Sequence, residues 1–202
     1  MEELIKLDAY PIRGLVGRLL QDKTTRKNIM FASDSYAGYG AGYKDNSQMT
    51  EGTLLGFDSC DIQPRVYKAA SEQTERTRKR AEVFTPAWIV NQMNNHCDEE
   101  WFGRPDVFDH QDGQMWNVTK APVTFSKGKD WKQYVDSRRL EITCGEAPYI
   151  VSRYDTSTGE LIPIERRIGI LDRKLRVVNE NATDEAEWLK WAFRAFQSVY
   201  GY

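Results

Sequence analysis

The stretch Leu140-Glu141-Ile142-Thr143-Cys144-Gly145-Glu146-Ala147-Pro148 concentrates residues able to do chemistry. Leu140 to Thr143 reads as a short strand and Cys144 to Ala147 as a turn of small residues interrupted by Glu146. Pro148 stands where a new helix should start. Strand, small-residue turn and helix start are the parts of a nucleotide-type site at the edge of an α/β sheet. The turn lets a ligand approach the main chain, and Glu141 at the strand end can accept hydrogen bonds from a ligand amine or hydroxyl. An ordinary strand, turn and helix would carry the same pattern. A second signal is Phe84-Thr85-Pro86. Thr85 is predicted as N-cap and Pro86 as first residue of a helix whose buried stripe includes Ile89, Val90 and Met93. Amides at such a helix start stay free for a ligand. The third is Arg76-Thr77-Arg78-Lys79-Arg80, whose cations suit phosphate contacts, with Glu72, Glu75 and Glu82 near enough for helical ion pairs instead.

Scarcity sets other chemistry aside. Cys60, Cys97 and Cys144 form no CxxC pair, and His96 and His110 are the only imidazoles. A zinc site needs about four well-spaced ligands, so no metal site is expected. A Cys-His or Ser-His nucleophile lacks support for the same reason. The histidines read as polar surface and the cysteines as small hydrophobes in a reduced, cytoplasmic setting. With 28 Lys+Arg against 30 Asp+Glu, bulk charge gives no sign of a nucleic-acid binder. Apolar content of 40% and charged content of 29% describe a globular chain rather than a disordered one. No apolar run approaches the roughly 18 residues of a membrane span. The start Met1-Glu2-Glu3-Leu4 lacks the basic-then-apolar order of a secretion signal.

The elements that must position these residues follow from pattern. Residues 1–30 read as mostly helical, on the spacing of Leu15, Val16, Leu19 and Leu20, with Asp22-Lys23-Thr24-Thr25 as the stop. Residues 36–56 read as a Gly/Tyr-rich loop. A helix is expected from Gln63-Pro64 through Arg80. Residues 103–136 and 153–182 read as insertions, the first irregular over 103–130 with room for one short hairpin. Thr183-Asp184-Glu185 opens the clearest helix, with a buried side of Trp188, Leu189, Ala192, Phe193, Phe196, Val199 and Tyr200. Gly201 suits its C-cap, after which an α/β protein would enter its next strand.

Phe84-Thr85-Pro86 resembles the F-T-P motif X of N6-adenine DNA methyltransferases. Leu140-Glu141-Ile142-Thr143-Cys144-Gly145-Glu146-Ala147-Pro148-Tyr149-Ile150 resembles their motif I, written L-E-P-x-C-G-x-G-x-F-L. Motif X ahead of motif I is the order of type I modification subunits and Taq-like type II enzymes. The stretch from Arg78 to Asn181 is also similar to bacterial restriction–modification methyltransferase subunits. This resemblance implies an α/β fold: a helical N-terminal segment, residues 1–75, then the beginning of an incomplete Rossmann-like methyltransferase sheet in residues 76–202. It implies S-adenosylmethionine as cofactor. Phe84, Thr85 and Pro86 would line the pocket near the methionine moiety, and Glu141 would face its amino group. Thr143, Cys144, Gly145, Ala147 and Pro148 would form the turn against which the cofactor lies. Ala147 stands in place of the motif's second glycine, and Ile142-Thr143 where many members have Pro and a small residue.

The family's catalytic N-P-P-Y or D-P-P-Y motif, which holds the flipped adenine, occurs nowhere in the 202 residues. No catalytic residue is therefore assigned. The resemblance implies the N-terminal region or a subunit of a DNA adenine-N6 methyltransferase, inactive alone, partnered by DNA and by a portion carrying N-P-P-Y. The alternative is a non-catalytic DNA-binding or regulatory module derived from such an enzyme. In either case Arg76, Arg78, Lys79 and Arg80 would contact phosphates.

Overall fold

The computed structural model describes residues 7–56, 62, 64–68, 73, 74, 77, 78, 83–142 and 145–201. The chain forms two compact units, Met1–Lys68 and Ala69–Tyr202. Among the described residues the architecture is mixed: helices with two small two-stranded sheets, α/β in the general sense.

In the first unit, a 3-10 turn (Ile12–Leu15) leads into helix α1 (Val16–Leu20). Helical structure stops there. Asp22 accepts from the Thr25 amide at 2.6 Å, and Gln21 bridges Asn28 in antiparallel fashion. The expected helix over residues 1–30 is thus confined, among the described residues, to its middle. The Gly/Tyr-rich stretch is more ordered than a loop, with 3-10 turns at Asp34–Tyr39 and Ala41–Tyr43 and helix α2 at Glu51–Leu55. Tyr43 is buried with Val16, Leu20, Phe31 and Leu54, and the Phe31 ring lies 5.8 Å from those of Tyr36 and Tyr43. These tyrosines build a small core.

The second unit is organised by helix α3 (Ala87–Phe102), hairpin β1 (Asp109–Asp112) and β2 (Met115–Val118), and helices α4 (Trp131–Asp136), α5 (Ile170–Asn181) and α6 (Glu185–Gln197). Strand β3 (Arg139–Glu141) pairs in parallel with β4 (Val199–Gly201), in the register Leu140 to Tyr200. The hairpin falls within the stretch read as irregular, and turns on Gly113 at a left-handed φ of +57°. Residues 170–181, within the second stretch read as an insertion, form α5. That helix contributes Leu171, Val177 and Val178 to the main core, beside Phe102, Phe108, Tyr134 and Val135. The core also encloses charge. Arg173 donates to Asp98 at 2.6 Å, to Asn91 and Asn95 at 2.7 Å each, and to Asp109 at 3.2 Å.

The last helix departs from expectation. Asp184 caps it, accepting from the Glu187 amide at 2.8 Å, but it ends at Gln197 with Ser198 as C-cap. Val199 and Tyr200 already belong to β4, so Gly201 is a strand residue and not a cap. Lys174 of α5 is buried and joins the two parallel strands at their entry. It donates to the Ser137 carbonyl ahead of β3 and, at 2.6 Å, to Ser198 Oγ ahead of β4.

Candidate functional site

Strand β3 delivers Glu141 to the edge of the turn expected to be a site. The half-buried carboxylate accepts from the Ile150 amide at 3.3 Å. Burial raises its pKa, opposed by the amides of Ile150 and Tyr149. The acceptor expected for a ligand amine thus also supports the turn that follows it.

Gly145 and Ala147 have φ of +51° and +53°, the left-handed region that favours glycine. A Cβ added to Gly145 would stand 2.8 Å from Phe84 Cε1. The ring of the Phe84-Thr85-Pro86 segment therefore lies against the main chain of the Gly145 turn. Two segments distant in sequence, each singled out for its residue types, meet. Glu146 points elsewhere, accepting a hydrogen bond from the Tyr154 hydroxyl.

No helix begins at Pro148. Residues 148–150 make a single turn, in which the amides of Ile150 and Val151 both reach the Ala147 carbonyl, at 3.1 and 2.9 Å. The helix that follows in sequence is α5, and the same segment closes its start. Ser152 Oγ accepts from Ile168 and Gly169 at 2.7 and 3.0 Å, while the carbonyls of Tyr149 and Ile150 accept from Ile170 and Leu171 at 2.9 and 3.0 Å. The backbone donors at the start of α5 are spent in holding residues 149–152 onto it. Asn94 of α3 adds bonds to the Tyr149 carbonyl at 3.0 Å and the Ile168 carbonyl at 2.9 Å. Asp172 accepts from the Ser152 amide at 3.1 Å. Its pKa is raised by burial, against the pull of that amide and of Arg167.

The start of α3 is shifted by one residue from expectation. Pro86, extended at ψ 146°, is the cap residue, and Ala87 opens the helix. Thr85 does not cap it. The Ala87 amide instead donates to Asp155 Oδ2 at 2.7 Å, while Thr156 Oγ1 donates to the Thr85 carbonyl at 3.1 Å. Burial acts to raise the Asp155 pKa, but hydrogen bonds from Ser157, Ala87 and Thr158 outweigh it and hold it below the ordinary value. Pro86, with Trp88, Trp116, Asp155 and Ile162, lines a cavity of about 450 Å³.

The buried stripe of α3 also differs. Val90 is buried, but Met93 is 52% exposed; the helix buries Asn91, Asn94 and Asp98 instead. Their partners, Arg173 for Asn91 and Asp98 and the Tyr149 and Ile168 carbonyls for Asn94, lie far along the chain, so apolar periodicity carries no trace of them. Asp155-Thr156-Ser157-Thr158 does show its turn chemistry in sequence. Asp155 Oδ1 accepts from Ser157 and Thr158 amides at 2.7 and 3.1 Å. The cap its other oxygen supplies to α3 has no local signal.

Thr143 and Cys144 lie outside the described residues, as do Arg76, Lys79 and Arg80. Arg78 is helical and exposed. His96 and His110 are exposed, as read from the sequence, but so is Cys97, which was expected to act as a small hydrophobe. Among the described residues no cluster of His, Cys, Asp or Glu could hold a metal ion, and no helix is long and apolar enough to cross a membrane.

No family model, curated protein or solved structure matches this chain.

Proposed function

We propose that this chain is the N-terminal portion, or a subunit, of an S-adenosylmethionine-dependent DNA adenine-N6 methyltransferase of a restriction–modification system. One observation carries the reading. Both positions at which motif I has glycine, Gly145 and Ala147, adopt left-handed φ, and the Phe84 ring of the motif X segment packs against the first. Those are the positions where a backbone without a side chain is at home, so motif and geometry agree. The parallel pairing of β3 with β4 across an intervening helical connection also suits the start of a Rossmann-like sheet.

The described residues fit the cofactor's chemistry. Glu141 is a half-buried carboxylate suited to an amino group, and Phe84 and Pro86 supply apolar walls. When bound, the cofactor contributes an electrophilic methyl group on sulfur. The chain's own part is to orient it: Glu141 through charge, and Phe84, whose ring Gly145 lets settle on the turn, through packing. Holding the adenine falls to an N-P-P-Y motif outside these 202 residues. Arg78, with Arg76, Lys79 and Arg80 beside it in sequence, would contact the DNA phosphates.

The test is to mix this chain with a polypeptide bearing the N-P-P-Y motif from the same locus, labelled cofactor and DNA. The reading expects label at adenine N6 with the pair and none with either half. Absence of transfer with both halves folded overturns it. A further check is Phe84→Ala, expected to lower transfer by the pair while leaving each half folded.

A further inference from the structure

Helix α6 carries two apolar stripes, and the second unit covers one of them. Ala192 and Ala195 are buried, and Trp191 packs on the main core. The other stripe runs through Ala186, Leu189, Phe193 and Phe196 and continues to Tyr200 of β4. Leu189 is 48% exposed, Phe193 68%, Phe196 57% and Tyr200 48%. The steps alternate between three and four residues, the repeat that aligns one side of a helix into a straight seam against another helix.

We propose that a second copy of this chain covers this seam, giving a twofold dimer in which the two α6 helices pack antiparallel. Three features of the seam favour a copy of itself as occupant. In an antiparallel pair about a twofold axis, facing residues have numbers of constant sum. Centring the axis between Leu189 and Phe193 sets Leu189 against the second copy's Phe193. The same register sets small, exposed Ala186 against the second copy's Phe196, so each large ring meets a gap in the facing helix. The seam residues are all uncharged, so pairing two of them buries no lone charge. Finally, with aromatic side chains contributing ~150–250 Å² each, the exposed part of the seam amounts to on the order of 500 Å² per copy. Doubled across the axis, that is about 1,000 Å², the lower bound for a specific interface. The seam is argued from the exposure of α6 and Tyr200 alone, so the proposal does not rest on the methyltransferase reading.

Sedimentation equilibrium of the full chain tests it without cofactor or DNA. A monomer–dimer equilibrium in the micromolar range is expected. Phe193→Asp, placing a charge on the seam, should weaken it by about tenfold or more with the far-UV circular dichroism unchanged. Ala186→Trp is the sharper variant, because it keeps the face apolar but fills the gap for the second copy's Phe196. It should weaken the dimer by a similar factor. A tighter dimer with Ala186→Trp would mean unspecific apolar association and overturn the proposal. A chain monomeric at all concentrations, a polydisperse aggregate, or a dimer indifferent to Phe193→Asp would overturn it too; monomer would leave the seam to a different polypeptide.

Discussion

Helices α3 and α6 are inverted relative to each other. The first buries Asn91, Asn94 and Asp98; the second exposes Leu189, Phe193 and Phe196. Polar groups go inside where partners of matching geometry wait, and here Arg173 supplies a guanidinium and Tyr134 donates its hydroxyl to Asp98 at 2.9 Å. Burial pushes the Tyr134 pKa up, and the neighbouring Asp98 charge adds to it, so the phenol stays a donor. Apolar groups stay outside where no neighbour of the same unit reaches them. A helix's pattern thus says which of its faces differ, and the neighbours decide which is covered.

Breaking the buried side of this contrast has the largest expected effect. Asp98→Ala leaves the Tyr134 hydroxyl without its acceptor and Arg173 with Asp109 as its one carboxylate among the described residues, and should lower unfolding free energy in urea by about 3 kcal/mol. A loss below about 1 kcal/mol would show that the cluster is not dry. Next comes Lys174, whose pKa is lowered to about 7 by burial and, second, by the Arg139 charge. Between about 7 and its ordinary 10.5, the unfolded chain holds a proton that the folded chain has released. Stability from this group therefore rises with pH across that window, by up to about 1.4 kcal/mol per unit, and is least below pH 7. Lys174→Met should flatten that part of the profile; equal slopes for both proteins would refute the assignment.

The helix starts sharpen the comparison on a smaller scale. Helix α6 is capped from the adjacent Asp184, and α3 from distant Asp155. Asp155→Ala and Asp184→Ala should each cost about 1 kcal/mol in thermal unfolding. Only the Asp155 change should also speed amide exchange at Ala87 while loosening residues 155–158. Smallest is Phe193→Ala. Were this ring in a core it would cost about 3–5 kcal/mol; as an exposed ring it should change the stability of dilute, monomeric protein by less than about 0.5 kcal/mol.

Signals held within a few residues were legible. The helix start within Thr183-Asp184-Glu185, the turn after β3 and the hairpin between the irregular residues each depend on local backbone chemistry. Local signals also misled where a distant group competes. Thr85 precedes a helix in the manner of a cap, yet the Ala87 amide goes to Asp155; Pro148 has the right form for a helix start, yet the chain turns once and docks on α5. The candidate site was legible as two segments. Their meeting, Phe84 against Gly145, was not, because contact between distant segments leaves no mark on the spacing of either.

By itself, the sequence determined the start of the last helix, the absence of an N-P-P-Y motif from these residues and the two stretches worth inspecting, since these depend on composition and near-neighbour backbone preference. Tertiary structure alone decided which face of α6 is bare, that Arg173 and Lys174 lie inside, and that the amides at the start of α5 are spent on residues 149–152. Burial and hydrogen-bond partnership are properties of what lies across a contact, and what lies across each of these contacts comes from elsewhere in the chain.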